Sequence, residues 1–310
     1  MATSNTDSRA GLIYGTAAYL CWGFFPLYWP LLEPASPYEV LAHRIVWTLV
    51  FCVGLLTITH KWAAYRSILG QRRLMMPLAL ASVVITLNWG GFIYGVTNGH
   101  VIETSLGYFI NPLMTVLLGV FLLGENLRRL QWVAVGLGIL AVVVLTIDYG
   151  RPPWIALLLA TSFATYGFLK KRANLGTIEA LSVETTILTP FAIAYLVFLA
   201  MTGTLAFGHE GTWNTLLLMG TGVVTGIPLL MFGAAATRLT LTTIGILQYL
   251  GPILQFIFGL TIFGEEMGAA RWVGFVMVWS ALVIFTYDAI STRRRAKRTV
   301  DECAAESTAI

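Results

Sequence analysis

Runs of about twenty apolar residues recur along almost the whole of this 310-residue chain. A helix needs about 20 such residues to cross a hydrocarbon core roughly 30 Å thick. The connections between the runs are short, so little of the chain is left for a separate soluble domain. The pattern predicts an all-α membrane protein with ten transmembrane helices. The ten runs are 11–32, 40–59, 74–97, 102–123, 129–148, 153–170, 178–202, 213–236, 241–263 and 270–289.

The composition agrees with this prediction. Charged residues make up 11% of the chain, whereas a soluble domain has about a quarter. The first run lacks a small-residue cleavage site after its apolar part, so we expect a retained helix and not a signal peptide. The three cysteines form neither a disulfide framework nor a paired metal-ligand spacing. The sequence therefore predicts no metal site and no cofactor.

The cationic residues are distributed unequally between alternate connections. If the N-terminus is cytoplasmic, sixteen of the nineteen lysines and arginines fall on the cytoplasmic side. Only Arg151 and Arg271 fall outside, and Arg44 lies within a span. Because positively charged connections tend to stay in the cytoplasm, both termini are predicted to be cytoplasmic. This distribution also accounts for the net charge of +4 without a nucleic-acid partner.

The second half of the chain repeats the first. A shift of 140 residues aligns NPLMTVLLGVFLLGENLRRLQWV with GPILQFIFGLTIFGEEMGAARWV without a gap. Matched pairs are Glu39/Glu179, Pro112/Pro252, Gly119/Gly259, Gly124/Gly264, Glu125/Glu265, Trp132/Trp272, Ala141/Ala281, Thr146/Thr286 and Asp148/Asp288. Each copy holds five predicted helices, and an odd number inserts the second copy upside down. The predicted domains are two inverted repeats, 11–148 and 153–289, and a cytoplasmic basic and polar tail, 290–310.

Several segments of both halves match a known pattern when they are taken together. The first half has LCWGFFPLYW, EVLAHRIVW, LNWGGFIYGV and ETSLGYFINPLMTVLLG, and the second has LSVETTILTP and GIPLLMFGAAATRLTLTTIGILQYLGPILQF. They resemble the RarD-type branch of the drug/metabolite transporter superfamily, which is built from two EamA repeats. The resemblance implies ten helices, cytoplasmic termini and carrier-type movement of small organic solutes. One departure is Pro30, where the family often has a lysine.

An arginine lies inside the second predicted span. An ionisable group at the centre of a span costs about 2.5–3.5 kcal/mol on insertion scales, so it is a candidate functional residue. Arg44 shares a helix face with Trp47 and Thr48, and its fork suits carboxylates or phosphates. We predict that it binds an anionic group of the substrate. The alternative is that its long side chain reaches the outer interface. The neighbouring His43 either couples proton movement or is a packed, hydrogen-bonded histidine.

The repeat places Glu184 at the position equivalent to Arg44. In inverted copies these two residues lie toward opposite faces of the membrane, so no direct salt bridge between them is expected. Glu184 is either a proton-linked carboxylate or a structural hydrogen-bond partner, and the sequence leaves both interpretations open.

Further polar and aromatic residues lie deep in the predicted spans. Tyr108 and Gln248 are repeat mates, each just ahead of a matched proline, where a kink frees backbone groups. Asn88 either bonds a neighbouring helix or faces the substrate, and Trp22 either stacks on the substrate or packs in the core. Besides Arg44, the predicted substrate-binding residues at the midplane are Trp22, Asn88, Tyr108, Asn111, Gln248 and Tyr249.

Two matched glutamates end the fourth and ninth predicted helices. Glu125 and Glu265 occupy equivalent places at opposite faces of the membrane. Because the N-terminus of a helix favours anions, each is expected to bond the start of the following helix. This is a structural role and not ligand binding.

The repeat and the resemblance together predict a secondary active transporter. It would move a small organic metabolite or drug across the bacterial plasma (inner) membrane by alternating access. No GxxxxGK[ST] loop occurs in the sequence, so energy is expected from a coupled proton or an exchanged solute. One alternative is a membrane-embedded lipid-modifying enzyme, which needs a nucleophile with its base or a metal cluster at membrane depth. No such catalytic set is predicted here. A channel is the other alternative, and the oligomeric state stays open.

Overall fold

The computed structural model describes the backbone at 5–124, 126–173, 175–239 and 241–308. Side chains are described for 9–292, except at 123, 125, 171, 174 and 240–242. Regular structure within these residues is helical. The predicted cytoplasmic cations of 293–298 and Lys171 lie outside the described side chains.

Most of the twelve described α-helices follow the predicted apolar runs, although the last one continues to Thr308, beyond the predicted run 270–289. The twelve helices are α1 (Asn5–Tyr28), α2 (Pro37–Ile58), α3 (Trp62–Leu69), α4 (Arg72–Thr97), α5 (Val101–Leu123), α6 (Arg129–Tyr149), α7 (Trp154–Ala173), α8 (Thr177–Thr202), α9 (Gly211–Ala236), α10 (Leu241–Leu247), α11 (Leu250–Thr261) and α12 (Ala269–Thr308). Among the described residues, nine helical segments are long and apolar enough to cross a membrane, and one of these, Thr243–Thr261, combines parts of α10 and α11. Trp154–Lys170 is a shorter apolar helix. The chain is therefore a multi-pass, all-helical membrane protein, and the tenth span stays a prediction.

Local sequence signals set several helix boundaries. At the start of α2, the Ser36 hydroxyl accepts a hydrogen bond from the Glu39 amide at 3.2 Å, and Pro37 occupies the first turn, where its missing N–H costs nothing. Helices α6 and α8 end in glycines with left-handed backbone, Gly150 at φ 64° and Gly203 at φ 69°. Glycine adopts this conformation without the steric penalty of a Cβ atom.

Two of the predicted spans are interrupted. The run 241–263 is not one helix, because α10 ends at Leu247 and α11 begins at Leu250. Pro252 lacks an N–H to donate to the carbonyl of Gln248 and its ring crowds that carbonyl, which explains the break. The run 11–32 likewise ends in a 3-10 helix, Trp29–Leu32, that contains Pro30. The short helix α3 was not predicted.

Large apolar side chains cover the outside of the described helices. Ile58 is 76% exposed and Met76 81%, and the same holds for Phe121 at 78% and Ile147 at 76%. Such surfaces are unfavourable in water but match the hydrocarbon interior of a bilayer. The exposure of these residues is therefore what a membrane location requires.

The chain divides into two compact units. One contains Met1–Asn111 and Ile155–Glu266, and the other contains Pro112–Trp154 and Met267–Ile310. Each unit takes segments from both halves of the sequence. The predicted domains 11–148 and 153–289 thus describe a repeat in sequence, and packing combines helices from both copies.

Within the first unit, α2 and α8 run antiparallel. The Glu39 carboxylate, at the start of α2, accepts hydrogen bonds from the amides of Ala206 at 2.9 Å and Phe207 at 3.0 Å. These two residues follow the end of α8. At the other end, Lys61 Nζ lies 2.8 Å from Glu179 Oε1, so the segment after α2 meets the start of α8.

Within the second unit, α6 and α12 also run antiparallel. Arg271, near the start of α12, donates from Nε to Asp148 Oδ2 at the end of α6, at 2.7 Å. Arg128, just before α6, donates from Nε to Asp288 Oδ2 at 2.8 Å, and its Nη2 bonds the same oxygen. Each end of α6 is thus held to α12 by an arginine–aspartate pair, one near the start of α12 and one at Asp288, within α12.

The predicted role of Glu265 is partly wrong. Its carboxylate does accept hydrogen bonds from a helix start, through the amides of Val101 and Ile102. That helix is α5, however, and not the following helix α12, because tertiary packing brings the connection after α11 to the start of α5. Its mate Glu125 lies outside the described residues.

Candidate functional site

The Arg44 side chain is buried among aromatic rings. Its guanidinium donates from Nε to Thr225 Oγ1 at 2.9 Å. The guanidinium carbon lies 4.2 Å from the ring centroid of Trp89, 5.0 Å from that of Trp29 and 5.7 Å from that of Phe25. Helices α1, α2, α4 and α9 and the 3-10 helix all contribute to this site. Cations favour the faces of aromatic rings, which explains how the charge is held there.

The burial of Arg44 tests the prediction that its side chain reaches the outer interface. The residue is only 4% exposed, so its side chain does not reach out to an interface, and that alternative does not describe this structure. Among the described side chains, no carboxylate lies within 4.0 Å of the guanidinium. A charge held without a counter-ion inside a protein is costly and marks a candidate functional residue.

Asn88 and Tyr108 lie together at a junction of three helices. Asn88 of α4 donates from Nδ2 to the Leu159 carbonyl and to Ser162 Oγ of α7, both at 3.1 Å. Tyr108 of α5 donates its hydroxyl to Asn88 Oδ1 at 3.3 Å. The Asn88 amide thus forms hydrogen bonds with neighbouring helices. Of the two roles predicted for Asn88, this is the structural one. Tyr108 packs against the aromatic cluster that contains Trp29.

His43 is packed but is not hydrogen-bonded in the described structure. The ring stacks on Phe207 with centroids 4.6 Å apart, and neither nitrogen has a hydrogen-bond partner. Its Nε2 lies 3.8 Å from Glu39 Oε1, the oxygen that accepts from the amides after α8. The predicted hydrogen-bonded histidine is therefore not what the structure shows, because apolar stacking surrounds the ring.

The other predicted lining residues lie in half-buried positions. Trp22 packs against Tyr19 and Phe232, with ring centroids 5.3 Å and 5.7 Å away. Gln248 and Tyr249 lie at the break between α10 and α11. The described side-chain partners of Arg44 and Asn88 include neither of them. Asn111 lies on α5, one residue before Pro112.

Glu184 belongs to a separate buried cluster. Its Oε1 accepts from Lys170 Nζ at 2.9 Å, and its Oε2 accepts from the Tyr166 hydroxyl at 3.0 Å. The carboxylate is fully buried, and Lys170 is 22% exposed. As expected, Glu184 and Arg44 do not pair with each other. Lys170 was predicted only as a cytoplasmic cation, so its contact with Glu184 was not predicted.

The partners of Arg44 were also missed. Thr225 lies 181 residues away along the chain, and no local pattern connects it to α2. A signal was present in α9, where Thr221, Gly222, Thr225 and Gly226 place small residues on one face. Such a face lets another helix approach closely in a membrane, and here that helix is α2.

Comparisons with known proteins agree with this architecture. A model of the EamA-like transporter family matches residues 9–147 and again 152–287. The protein RarD of Streptomyces exfoliatus is 49% identical over 301 residues, which cover 97% of this chain and 96% of that protein. The uncharacterized transporter YojE of Bacillus subtilis is 40% identical, with 94% of this chain and 99% of that protein covered. A solved crystal structure has the same fold, with a TM-score of 0.59 at 16% identity over 89% of this chain and 96% of its own. The chain therefore belongs to the EamA-like transporter family, on its RarD-type branch.

Proposed function

We propose that this membrane transporter is a secondary carrier that moves a small organic solute across the bacterial plasma membrane by alternating access. The observation that carries the proposal is the position of residues that are equivalent in the two repeats. Glu39 and Glu179 are repeat mates, and each lies at the start of one of the antiparallel helices α2 and α8. Asp148 and Asp288 are mates in the same way on α6 and α12. Equivalent acidic residues thus lie on helices that run in opposite directions, which supports two inverted repeats.

Inverted repeats favour a carrier over the alternatives. In secondary transporters the two copies can exchange conformations, so that a site near the midplane opens first to one side and then to the other. A lipid-modifying enzyme has no need of this symmetry, and the names of the relatives point to transport. The predicted lining residues Trp22, Asn88, Tyr108, Asn111, Gln248 and Tyr249 remain proposals for that path. His43 and Glu184 remain proposed coupling residues.

Counterflow in liposomes tests the proposed mechanism. The purified protein is reconstituted with a panel of labelled amino acids, carboxylates and amines, each with its unlabelled counterpart inside. We expect saturable counterflow for at least one member, because a carrier exchanges solute faster than it returns empty. Unsaturable flux without counterflow would instead indicate a channel, and product formation without transport would indicate an enzyme.

The topology is tested by labelling introduced cysteines. In a background without the native cysteines, Ala64→Cys lies in exposed α3 and Glu210→Cys lies in the exposed segment after α8. With both termini cytoplasmic, an impermeant maleimide added to intact cells should label Glu210→Cys and not Ala64→Cys. Both should react after the cells are permeabilised. Efficient external labelling at position 64 would overturn the proposed orientation.

A further inference from the structure

The unpaired polar groups around Arg44 are hydrogen-bond donors. Among the described residues, its guanidinium has one hydrogen-bond acceptor, Thr225 Oγ1 at Nε, so that the two Nη groups have none. The indole N–H of Trp29 is fully buried and also lacks an acceptor. The Thr225 hydroxyl has no described acceptor for its own hydrogen, whereas Thr221 donates to the Leu218 carbonyl. A fully buried donor without an acceptor, such as the Trp29 N–H, costs about 1–3 kcal/mol.

Two other described arginines, which lie near helix ends, do have carboxylate partners. Arg128 and Arg271 each bond an aspartate in the second unit, although both are more exposed than Arg44. An arginine with a purely structural role in a membrane protein is expected to have such a partner. The more deeply buried Arg44 has aromatic rings around it and, among the described side chains, no carboxylate within 4.0 Å. The described residues thus supply no acceptor for its two Nη groups.

We infer that Arg44 and Trp29 bind the carboxylate of a flat, apolar organic anion, a substrate class that rests on the proposed transport function. The guanidinium fork offers two parallel donors to a planar carboxylate, and the indole N–H offers a third. The rings of Phe25, Trp29 and Trp89 give the apolar part of the ligand a surface to pack against. A phosphate dianion would bring two charges into an apolar surround with one cation, which is unfavourable.

The site around Arg44 is buried in this structure. Arg44 is 4% exposed and Trp29 is fully buried, so the anion enters when one aromatic wall moves. Movement of a wall is part of alternating access, because the site must lose its contact with one side before it opens to the other. Binding is therefore measured on the full protein in detergent, where both states are accessible.

Thermal unfolding with paired probes tests the inference. Benzoate and indole-3-acetate are compared with benzamide and indole-3-acetamide, which keep the rings and lose the charge. Inorganic phosphate is the third probe. We expect the carboxylates to raise the melting temperature of the wild type in a concentration-dependent way, with no shift from the amides or from phosphate. Equal shifts from an acid and its amide, a shift from phosphate alone, or no shift from either carboxylate would overturn the inference.

Three variants assign the effect to the site. Arg44→Gln should abolish the carboxylate shift, and Arg44→Lys should weaken binding at least tenfold because lysine lacks the paired donors. Trp29→Phe keeps an aromatic side chain but removes the indole N–H, so binding should weaken about five- to tenfold. Arg66→Gln, in exposed α3, is the matched control and should bind as wild type does.

The variants also keep the two proposals distinguishable. If the Arg44 variants do not fold, Trp29→Phe still decides, since unchanged carboxylate binding in that variant would contradict the inference. Carboxylate binding without counterflow would leave the anion site in place and remove the carrier mechanism. Saturable counterflow of a neutral solute, with no carboxylate binding, would do the opposite.

Discussion

Replacing Lys170 with methionine is expected to destabilise the protein more than replacing Glu184 with glutamine, although the two residues form one ion pair. The Glu184 carboxylate is fully buried, whereas Lys170 is 22% exposed. Removing the lysine leaves a buried charge with, among the described side chains, the Tyr166 hydroxyl as its remaining hydrogen-bond partner. Removing the carboxylate leaves an ammonium group that can move toward the surface. Breaking a buried pair in the first way costs about 3–5 kcal/mol.

The double variant gives the sharper result. Lys170→Met with Glu184→Gln removes both charges, and the glutamine oxygen can still accept from Tyr166. We expect the second substitution to restore much of the stability that Lys170→Met removes, because it eliminates the uncompensated charge. Melting temperatures in detergent, measured for both single variants and the double variant, provide the test. Additive losses would show that the two side chains are not energetically coupled.

The single variant Glu184→Gln separates the two roles proposed for Glu184. If the carboxylate carries a coupled proton, Glu184→Gln should stop uptake driven by a proton gradient while counterflow continues, since exchange needs no net proton movement. If its role is structural, gradient-driven uptake and counterflow should fall together, in proportion to the loss of folded protein. Gradient-driven uptake at the wild-type rate would exclude the coupling role.

The helices of this protein could be predicted closely from the sequence. The start of α2 at Pro37 follows from a capping serine and a proline, and the ends of α6 and α8 follow from glycines. The continuity of the predicted helices was wrong in places, because a run of apolar residues does not reveal where a proline breaks a helix. Pro252 stands after an interruption, whereas its mate Pro112 lies inside the continuous helix α5. The same residue type thus acts differently in two surroundings.

The site was predictable only in part. Arg44 was recognisable because a charge within an apolar run is rare and expensive. Its partners were not, since Trp29, Trp89 and Thr225 come from three other elements of the chain. The contacts of Asn88 with α7 are equally non-local. Pairing between distant helices depends on which faces meet, and one sequence without aligned relatives contains little of that information.

Substituting Gly222 with alanine is expected to separate α2 from α9 and to weaken the Arg44 site. A Cβ atom at Gly222 would lie 2.9 Å from the Thr48 backbone nitrogen and would also collide with the carbonyl of Trp47. These are backbone atoms of α2, so no side-chain rotation relieves the contact. Thr225, the hydrogen-bond partner of Arg44, lies about one turn further along α9. A shift of either helix therefore changes the 2.9 Å contact that orients the guanidinium.

The expected loss for Gly222→Ala is about 1–3 kcal/mol in the free energy of unfolding, as for other overpacked interiors. It should appear even though alanine favours a helix over glycine by about 0.8–1.0 kcal/mol. Gly54→Ala is the matched control, because Gly54 lies on α2 itself and an added Cβ meets nothing within 4 Å. That variant should melt at or above the wild-type temperature and keep its carboxylate-induced shift, while Gly222→Ala loses both. If the two alanine variants instead behave alike, α2 and α9 do not pack as closely as the structure shows, and the hydrogen bond that Arg44 donates to Thr225 does not position the guanidinium.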